Sequence, residues 1–347
     1  MDSHQKYMHR CLELAKLAAG FTAPNPMVGA VLVYNDRIIG EGYHRLYGQP
    51  HAEVNCIRSV QEADRELIPH STIYVSLEPC AHHGKTPPCA DLIIANRIPH
   101  VVIGCRDPFV QVDGKGIEKL EAAGIKVTTG VLEKEALELN KRFIVFNTKH
   151  RPYIILKWAQ TADKKIGNID HSRLLISNEL TNRLVHKWRS EEAAIMVGTN
   201  TALFDDPSLT TRFWEGHNPV RLVVDMDLRL PSSLQLFNKE VKTVVFNALK
   251  HEESESLLYY RVTRDVSLVQ QMVHALYHLR VQSVLVEGGA QLLQSFIDEG
   301  LWDECRIITN STLFAYTGVP APALSKGVLQ QQEQLAGDSI HYLMNPA

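Results

Sequence analysis

His51, Glu53, Cys80 and Cys89 stand in an order that constrains this chain more than its length does. One imidazole and two thiolates fill three corners of a tetrahedral zinc site and leave the fourth for water, which is how a catalytic centre differs from a closed structural one. For these ligands to meet, the chain between residues 51 and 89 must fold back on itself. Its pattern supplies the means: a helical stretch from 52 to 60, a short strand from 72 to 77 and a second helical stretch from 92 to 96. Both ligand clusters then precede helices, where the partial positive charge favours thiolate. Glu53, two residues beyond the histidine at the start of a helix, is placed to take and return a proton without being a ligand.

The segments around this constellation read as an α/β domain. Tyr7, Met8, Cys11, Leu12, Ala15 and Ala18 share one face of an opening helix closed by Gly20, and residues 28–34 and 38–43 form a hairpin around Asn35-Asp36-Arg37. Strands at 101–105 and 127–129 alternate with helices at 117–123 and 133–146, as in a sheet covered by helices. The polar run from Asn147 to Pro152 marks a boundary, giving domains at 1–147 and 151–347. Beyond it, apolar and mostly β-branched runs at 153–158, 194–197, 220–224, 243–246 and 283–286 describe a second sheet. The remaining cysteines, Cys11, Cys56, Cys105 and Cys305, lie in apolar stretches and read as buried thiols.

Charge narrows the function. With 36 Lys and Arg against 39 Asp and Glu, and no basic block, the chain lacks the footprint of a nucleic-acid binder. The reading is therefore a small-molecule substrate, with no nucleic acid and no membrane as partner, in a cytoplasmic protein: no signal peptide and no long apolar run is present.

H-x-E followed by P-C-x-x-C is the signature of zinc deaminases, which attack the amino-bearing carbon of a nucleobase. Here eight residues, Ala81 to Pro88, separate the cysteines instead of two. That longer loop carries His82, His83 and Lys85 and suits a larger or phosphorylated substrate. Together with Pro24-Asn25-Pro26-Met27-Val28-Gly29-Ala30 and Gly40-Glu41-Gly42-Tyr43-His44, the segment from Glu78 to Cys89 resembles the bacterial bifunctional riboflavin-biosynthesis deaminase/reductase family. The resemblance implies a cytidine-deaminase-like α/β/α domain followed by a dihydrofolate-reductase-like α/β domain. In the first, 2,5-diamino-6-(5-phosphoribosylamino)pyrimidin-4(3H)-one would lose its 2-amino group, with zinc on His51, Cys80 and Cys89, proton transfer by Glu53, and substrate contacts from Asn25, His44 and Lys85.

The segments from Gly198 to Arg212 and from Val286 to Ala290 carry the resemblance in the second half. They imply reduction of the product's ribosyl group to ribityl by NADPH. Cofactor contacts would come from Ala159, Thr201 and Asp205 and from Gly289, Ala290, Gln291, Leu292, Leu293, Gln294 and Ser295. Substrate contacts would come from Lys157, Arg189, Leu209, Arg212 and Glu287, the arginines suiting a phosphate. From the residues alone, a strand, two glycines and a helix can seat a phosphate on backbone amides, and no dinucleotide G-x-G-x-x-G follows any strand.

Residues 163–175 depart from the family, which has an Asp-Gly pair where this chain has Asp163-Lys164. An active deaminase with a degenerate reductase half is therefore one alternative. Others are a zinc deaminase of a nucleoside or tRNA, and a structural zinc closed by His82 or His83. Family analogy adds a homo-oligomer.

Overall fold

The computed structural model describes residues 3–81, 87–109, 113–170 and 172–346. It divides into two compact units between His150 and Arg151.

In the first unit the elements run α1 (Ser3–Lys16), β1 (Gly29–Tyr34), β2 (Arg37–Tyr43), α2 (Ala52–Arg58), β3 (Thr72–Leu77), α3 (Cys89–Ala95), β4 (His100–Cys105), α4 (Lys115–Ala122), β5 (Lys126–Thr128), α5 (Glu133–Leu139) and α6 (Lys141–Thr148). The sheet order is β2-β1-β3-β4-β5, antiparallel through β1 and parallel from β3 onward. Both faces are apolar, so each strand divides its side chains by alternation. Ala30, Leu32, Ile73 and Val75 pack with Cys56 of α2 and Ile93 of α3, while Val31, Val33 and Tyr74 pack with Tyr7, Met8 and Cys11 of α1. The unit is an α/β/α sandwich, and Cys11, Cys56, Cys105 and Cys305 are buried free thiols.

One sequence expectation changes. The helix read over 133–146 is two helices broken at Asn140, whose side chain accepts from the Met27 amide at 2.8 Å and donates to the Met27 carbonyl at 2.9 Å. A tertiary bond to a part-buried backbone pair outweighs local helix periodicity there.

The second unit runs β6 (Tyr153–Thr161), β7 (Lys165–Gly167), α7 (Glu179–Glu191), β8 (Ala194–Val197), α8 (Thr199–Asp205), β9 (Val220–Val224), β10 (Thr243–Asn247), β11 (Glu252–Glu253), β12 (Leu257–Arg261), α9 (Leu268–His278), β13 (Ser283–Gly288), α10 (Ala290–Asp298), β14 (Glu304–Asn310), β15 (Val319–Pro320), β16 (Val328–Leu335) and β17 (Asp338–Met344). Ten strands form one sheet in the order β11-β12-β10-β9-β8-β13-β6-β14-β17-β16, and β15 pairs with β7 apart from it. The middle of the sheet, from β12 to β14, is parallel. Its core joins Leu156, Met196, Leu222 and Val286 of the strands to Met272 of α9 and Phe296 of α10. In such a sheet ligands gather at the carboxyl ends of the strands. Lys157, Glu287 and the helix start at Ala290 lie toward those ends. No helix among the described residues is long and apolar enough to cross a membrane.

Candidate active sites

Two close approaches build the first site. A Cβ on Gly42 would come within 2.3 Å of the Cys56 amide nitrogen, and one on Gly40 within 2.6 Å of the Cys56 carbonyl. The missing side chains let α2 press against β2. That seats His51 at the N-cap of α2, in extended backbone, and Glu53 in its first turn, only 3% exposed. Cys89 opens α3 behind Pro88, and Cys80 follows β3.

The three ligand atoms fall within 4.8 Å of one another. His51 Nδ1 is 3.6 Å from Cys80 Sγ and 3.4 Å from Cys89 Sγ, and the Cys89 amide donates to Cys80 Sγ at 3.4 Å. The hydrogen bond from the Cys89 thiol, helped by His51, draws Cys80 down to about 4, while the same partnership and burial push Cys89 up. One thiolate is thus already favoured, and two sulfurs, one imidazole nitrogen and an adjacent buried carboxyl are the donor set that zinc fits. Burial, and then the charge on Cys80, raise Glu53 to about 6.

Asn25 and His44 flank this centre. His44 is buried, its Nδ1 is 3.2 Å from the Pro50 carbonyl and its Nε2 is 3.1 Å from Asn25 Nδ2. Those bonds assign the proton to Nδ1, and burial lowers the imidazole's pKa, which keeps it neutral. Its ring meets that of His51 edge to face at 5.4 Å. Lys85, His82 and His83 lie outside the described residues.

In the second unit, Lys157 of β6 and Glu287 of β13 extend from paired parallel strands. Arg189 of α7 grips Glu287 bidentately, Nε to Oε1 and Nη2 to Oε2, both at 2.7 Å, and Lys157 Nζ stands 3.8 Å from Oε2. Burial alone would raise the Glu287 pKa, but Arg189 and Lys157 overcome it and hold the carboxyl at about 2. Burial lowers Lys157 against the pull of Glu287. Arg189 Nη1 also donates to the Thr210 carbonyl at 3.3 Å. Leu209 is buried with φ +51°, which turns the chain so that Thr210 can accept there.

Arg212 Nη1 contacts Thr210 Oγ1 at 3.3 Å. It lines a cavity of about 970 Å³ with Phe213, Trp214 and, from the first turns of α7, Glu179, Asn182 and Arg183.

Thr201 of α8 faces the glycine turn: a Cβ on Gly289 would stand 3.1 Å from its hydroxyl, and one on Gly288, at φ +140°, 3.6 Å. Asp205 ends α8, its carboxyl raised by partial burial. Ala159 lies two residues beyond Lys157 on β6. Gly289 caps α10, leaving the amides of Ala290 and Gln291 at a helix N-terminus. The side chains of Leu292 and Leu293 instead enter the core, Gln294 accepts from the Ala323 amide at 2.8 Å, and Ser295 donates to the Gln291 carbonyl at 2.9 Å. In this stretch only backbone groups are left to meet a ligand at the leucines.

Residues 1–105 match the family model for the cytidine and deoxycytidylate deaminase zinc-binding region, and residues 152–330 match that of the RibD C-terminal domain. The chain is 41% identical to the riboflavin biosynthesis protein RibD of Aquifex aeolicus, over 86% of this chain and 84% of that one. This chain belongs to the RibD family. RibD of Escherichia coli is 35% identical over 86% of this chain and 85% of its own. A Thermotoga maritima structure described as a diaminohydroxyphosphoribosylaminopyrimidine deaminase/5-amino-6-(5-phosphoribosylamino)uracil reductase superposes with a TM-score of 0.88 at 36% identity, covering 99% of both chains. The chain is accordingly a bifunctional RibD enzyme of riboflavin biosynthesis, a cytidine-deaminase-like domain joined to a dihydrofolate-reductase-like one.

Two residues that sequence reasoning left without a role stand beside the candidate metal donors. Glu78, buried, accepts backbone N–H groups from Gly114 at 3.1 Å and Gly116 at 3.0 Å, tying the Pro79-Cys80 turn to the start of α4. Asp107, buried two residues beyond β4, is raised to about 7 by burial first, then by the charges of Glu78 and Cys80. The sequence signal for Glu78 was its position within the ligand motif; nothing local marked Asp107.

Proposed function

We propose that the first unit deaminates 2,5-diamino-6-(5-phosphoribosylamino)pyrimidin-4(3H)-one and that the second reduces the ribosyl group of the resulting uracil to ribityl with NADPH. The observation that carries the first step is the buried Glu53 carboxyl beside the convergent His51, Cys80 and Cys89. Those three residues would hold zinc, which supplies Lewis acidity and lowers the pKa of water. Glu53, with its pKa raised toward neutrality, takes a proton from the attacking water and returns it to the departing amine. The C2–N bond breaks, a C2–O bond forms and ammonia leaves. Neutral His44, fixed by Asn25 and the Pro50 carbonyl, presents an oriented edge to the pyrimidine.

For the second step, Lys157, Glu287 and Arg189 form a prearranged polar floor next to the glycine turn. The amides that open α10, with Thr201 opposite, suit a cofactor phosphate, and Arg212 suits the substrate phosphate. NADPH held there would supply the hydride for C1′ of the sugar; the ring C1′–O bond breaks and the released ring oxygen takes the proton. Asp163 also supports an active reductase: although Lys164 replaces the family's glycine, its carboxylate still accepts from Thr161 Oγ1 at 2.6 Å and from the Tyr316 amide at 2.9 Å.

The test is a paired assay on zinc-loaded full-length protein with the diaminopyrimidine ribosylamino phosphate, following ammonia release and NADPH oxidation separately. Both signals are expected. Ammonia without NADPH oxidation would leave only the deaminase, and neither signal would overturn the substrate assignment.

A further inference from the structure

Helix α9 carries His274 and His278 four residues apart, so the two imidazoles stand one above the other on the same face. Both are exposed. The rest of the helix is anchored: Val269, Met272, Val273, Ala275 and Leu276 are buried in the core of the second unit. Packing therefore sets the two histidine Cα positions, and the imidazoles are not needed for it. The rings nevertheless converge, with centroids 4.3 Å apart and Nε2 facing Nε2 at 3.0 Å. At that separation one Nε2–H donates to the lone pair of the other. Neither histidine has a part in the two reactions described above.

Two imidazoles at i and i+4 of a helix bring two nitrogens to one point, the arrangement by which helices chelate a metal ion. The bite distance selects among metals. With metal–nitrogen bonds of about 2.0–2.1 Å, two donors at a right angle stand about 2.9 Å apart and two at the tetrahedral angle about 3.3 Å. The 3.0 Å separation suits adjacent corners of a square-planar or tetragonal centre, the geometry of Cu(II) and Ni(II), better than tetrahedral zinc. Chelation needs both Nε2 lone pairs, so the proton between them must go elsewhere. Among the described residues neither Nδ1 has a hydrogen bond to the protein, so that proton moves through solvent to Nδ1 of its own ring. The shift is a change of tautomer with no net loss of a proton. His278 also lies in the last turn of α9, where the helix dipole favours a cation.

We infer that His274 and His278 chelate a divalent transition-metal ion of the Ni(II) or Cu(II) class through their Nε2 atoms, on the surface of the second unit, with water filling the remaining positions. This is a metal site additional to the His51, Cys80 and Cys89 donor set, and it ties the last turn of α9 together across one helical repeat. It depends on neither the deaminase nor the reductase reading.

The experiment titrates zinc-loaded, full-length protein with Ni²⁺ alone, by calorimetry, in wild type, His274→Ala, His278→Ala and, as a control, His70→Ala, an exposed histidine of the first unit. One Ni²⁺ per chain should bind beyond the zinc already present. Each α9 substitution should raise the Kd about tenfold or more, because the second imidazole binds at the high effective concentration the helix imposes. His70→Ala should change it less than twofold. Ni²⁺ should also raise the thermal unfolding midpoint of wild type, but not that of the two α9 variants. Alanine is the strongest helix former and both positions are exposed, so the variants should fold; zinc content and the unfolding midpoint without nickel check this. No Ni²⁺ bound beyond the zinc, or binding that survives either α9 substitution unchanged, overturns the chelate. Tighter binding of Zn²⁺ than of Ni²⁺ at the same pair overturns the metal class.

Discussion

The two sites of this chain solve the problem of holding charged groups in a dry interior by different means. In the deaminase unit the chemistry comes from a short stretch of chain, residues 51 to 89. Its side chains sit at helix starts: His51 caps α2, Glu53 follows within the first turn, and Cys89 opens α3. In the reductase unit the charged residues run from Lys157 to Glu287 and come from two strands, one helix and one loop. There the charges satisfy one another, with Arg189 and Lys157 on Glu287. The comparison teaches that a site assembled around a metal leaves its donors close in sequence and identifiable by type. A site assembled from an ion network is spread along the chain, and each member looks ordinary until its partners are known.

The largest effect should fall on the metal-centred site. Glu53→Gln removes the proton carrier and no ligand, so ammonia release should drop about a thousandfold, within the range for lost general acid-base catalysis, while bound zinc, measured by metal analysis, stays stoichiometric. Ammonia release within tenfold of wild type would take Glu53 out of the mechanism.

Next in size is the buried network. Glu287→Gln leaves Arg189 and Lys157 uncompensated and should cost the reductase unit about 3–5 kcal/mol in chemical denaturation, with ammonia release by the folded protein unchanged. The pH dependence has a definite sign. The folded carboxyl is held at about 2, below its unfolded value near 4.5, so its stabilisation is complete above that unfolded value. It is lost as the pH falls from there through about 2. Glu287→Gln should therefore flatten the acid limb of the stability curve, and an unaltered limb would place the acid sensitivity elsewhere.

A smaller change is expected at the rim. Arg212→Ala should raise the KM of the reductase substrate roughly tenfold, as for one lost charged hydrogen bond, and leave deamination intact; an equal loss of both activities would point to folding instead. The smallest concerns the departure from the family pattern. Lys164 is exposed and adopts φ +57°, a left-handed conformation that costs a side-chain-bearing residue about 1 kcal/mol. Lys164→Gly should then stabilise the protein by about that amount in thermal unfolding, with no change in either KM.

Legibility in the sequence followed the same division. The convergence of His51, Cys80 and Cys89 was readable because only a few residue types bind zinc and the spacing between them was short. Strands with alternating apolar faces, such as β1 and β3, were readable because both of their faces are packed. The break at Asn140 was not, because its cause is the backbone of Met27, over a hundred residues away in the chain. Strands β14, β16 and β17 were also missed. β14 carries a buried Glu304 and Arg306 joined at 2.6 Å, which reads as polar surface until the pair is seen, and β16 is an exposed edge rich in glutamine.

Local chemistry thus determined by itself that this chain holds two α/β domains, a His51-Cys80-Cys89 donor set with a neighbouring carboxyl, and a glycine turn opening a helix. Tertiary structure alone decided which of the remaining charges are spent on one another and which are left for a ligand. Arg189, Lys157 and Glu287 neutralise each other, Gln294 is committed to the Ala323 backbone, and Arg212 is left on the wall of the open cavity. Residue type states what a side chain can bind, but whether that capacity is already satisfied depends on neighbours that only folding brings together.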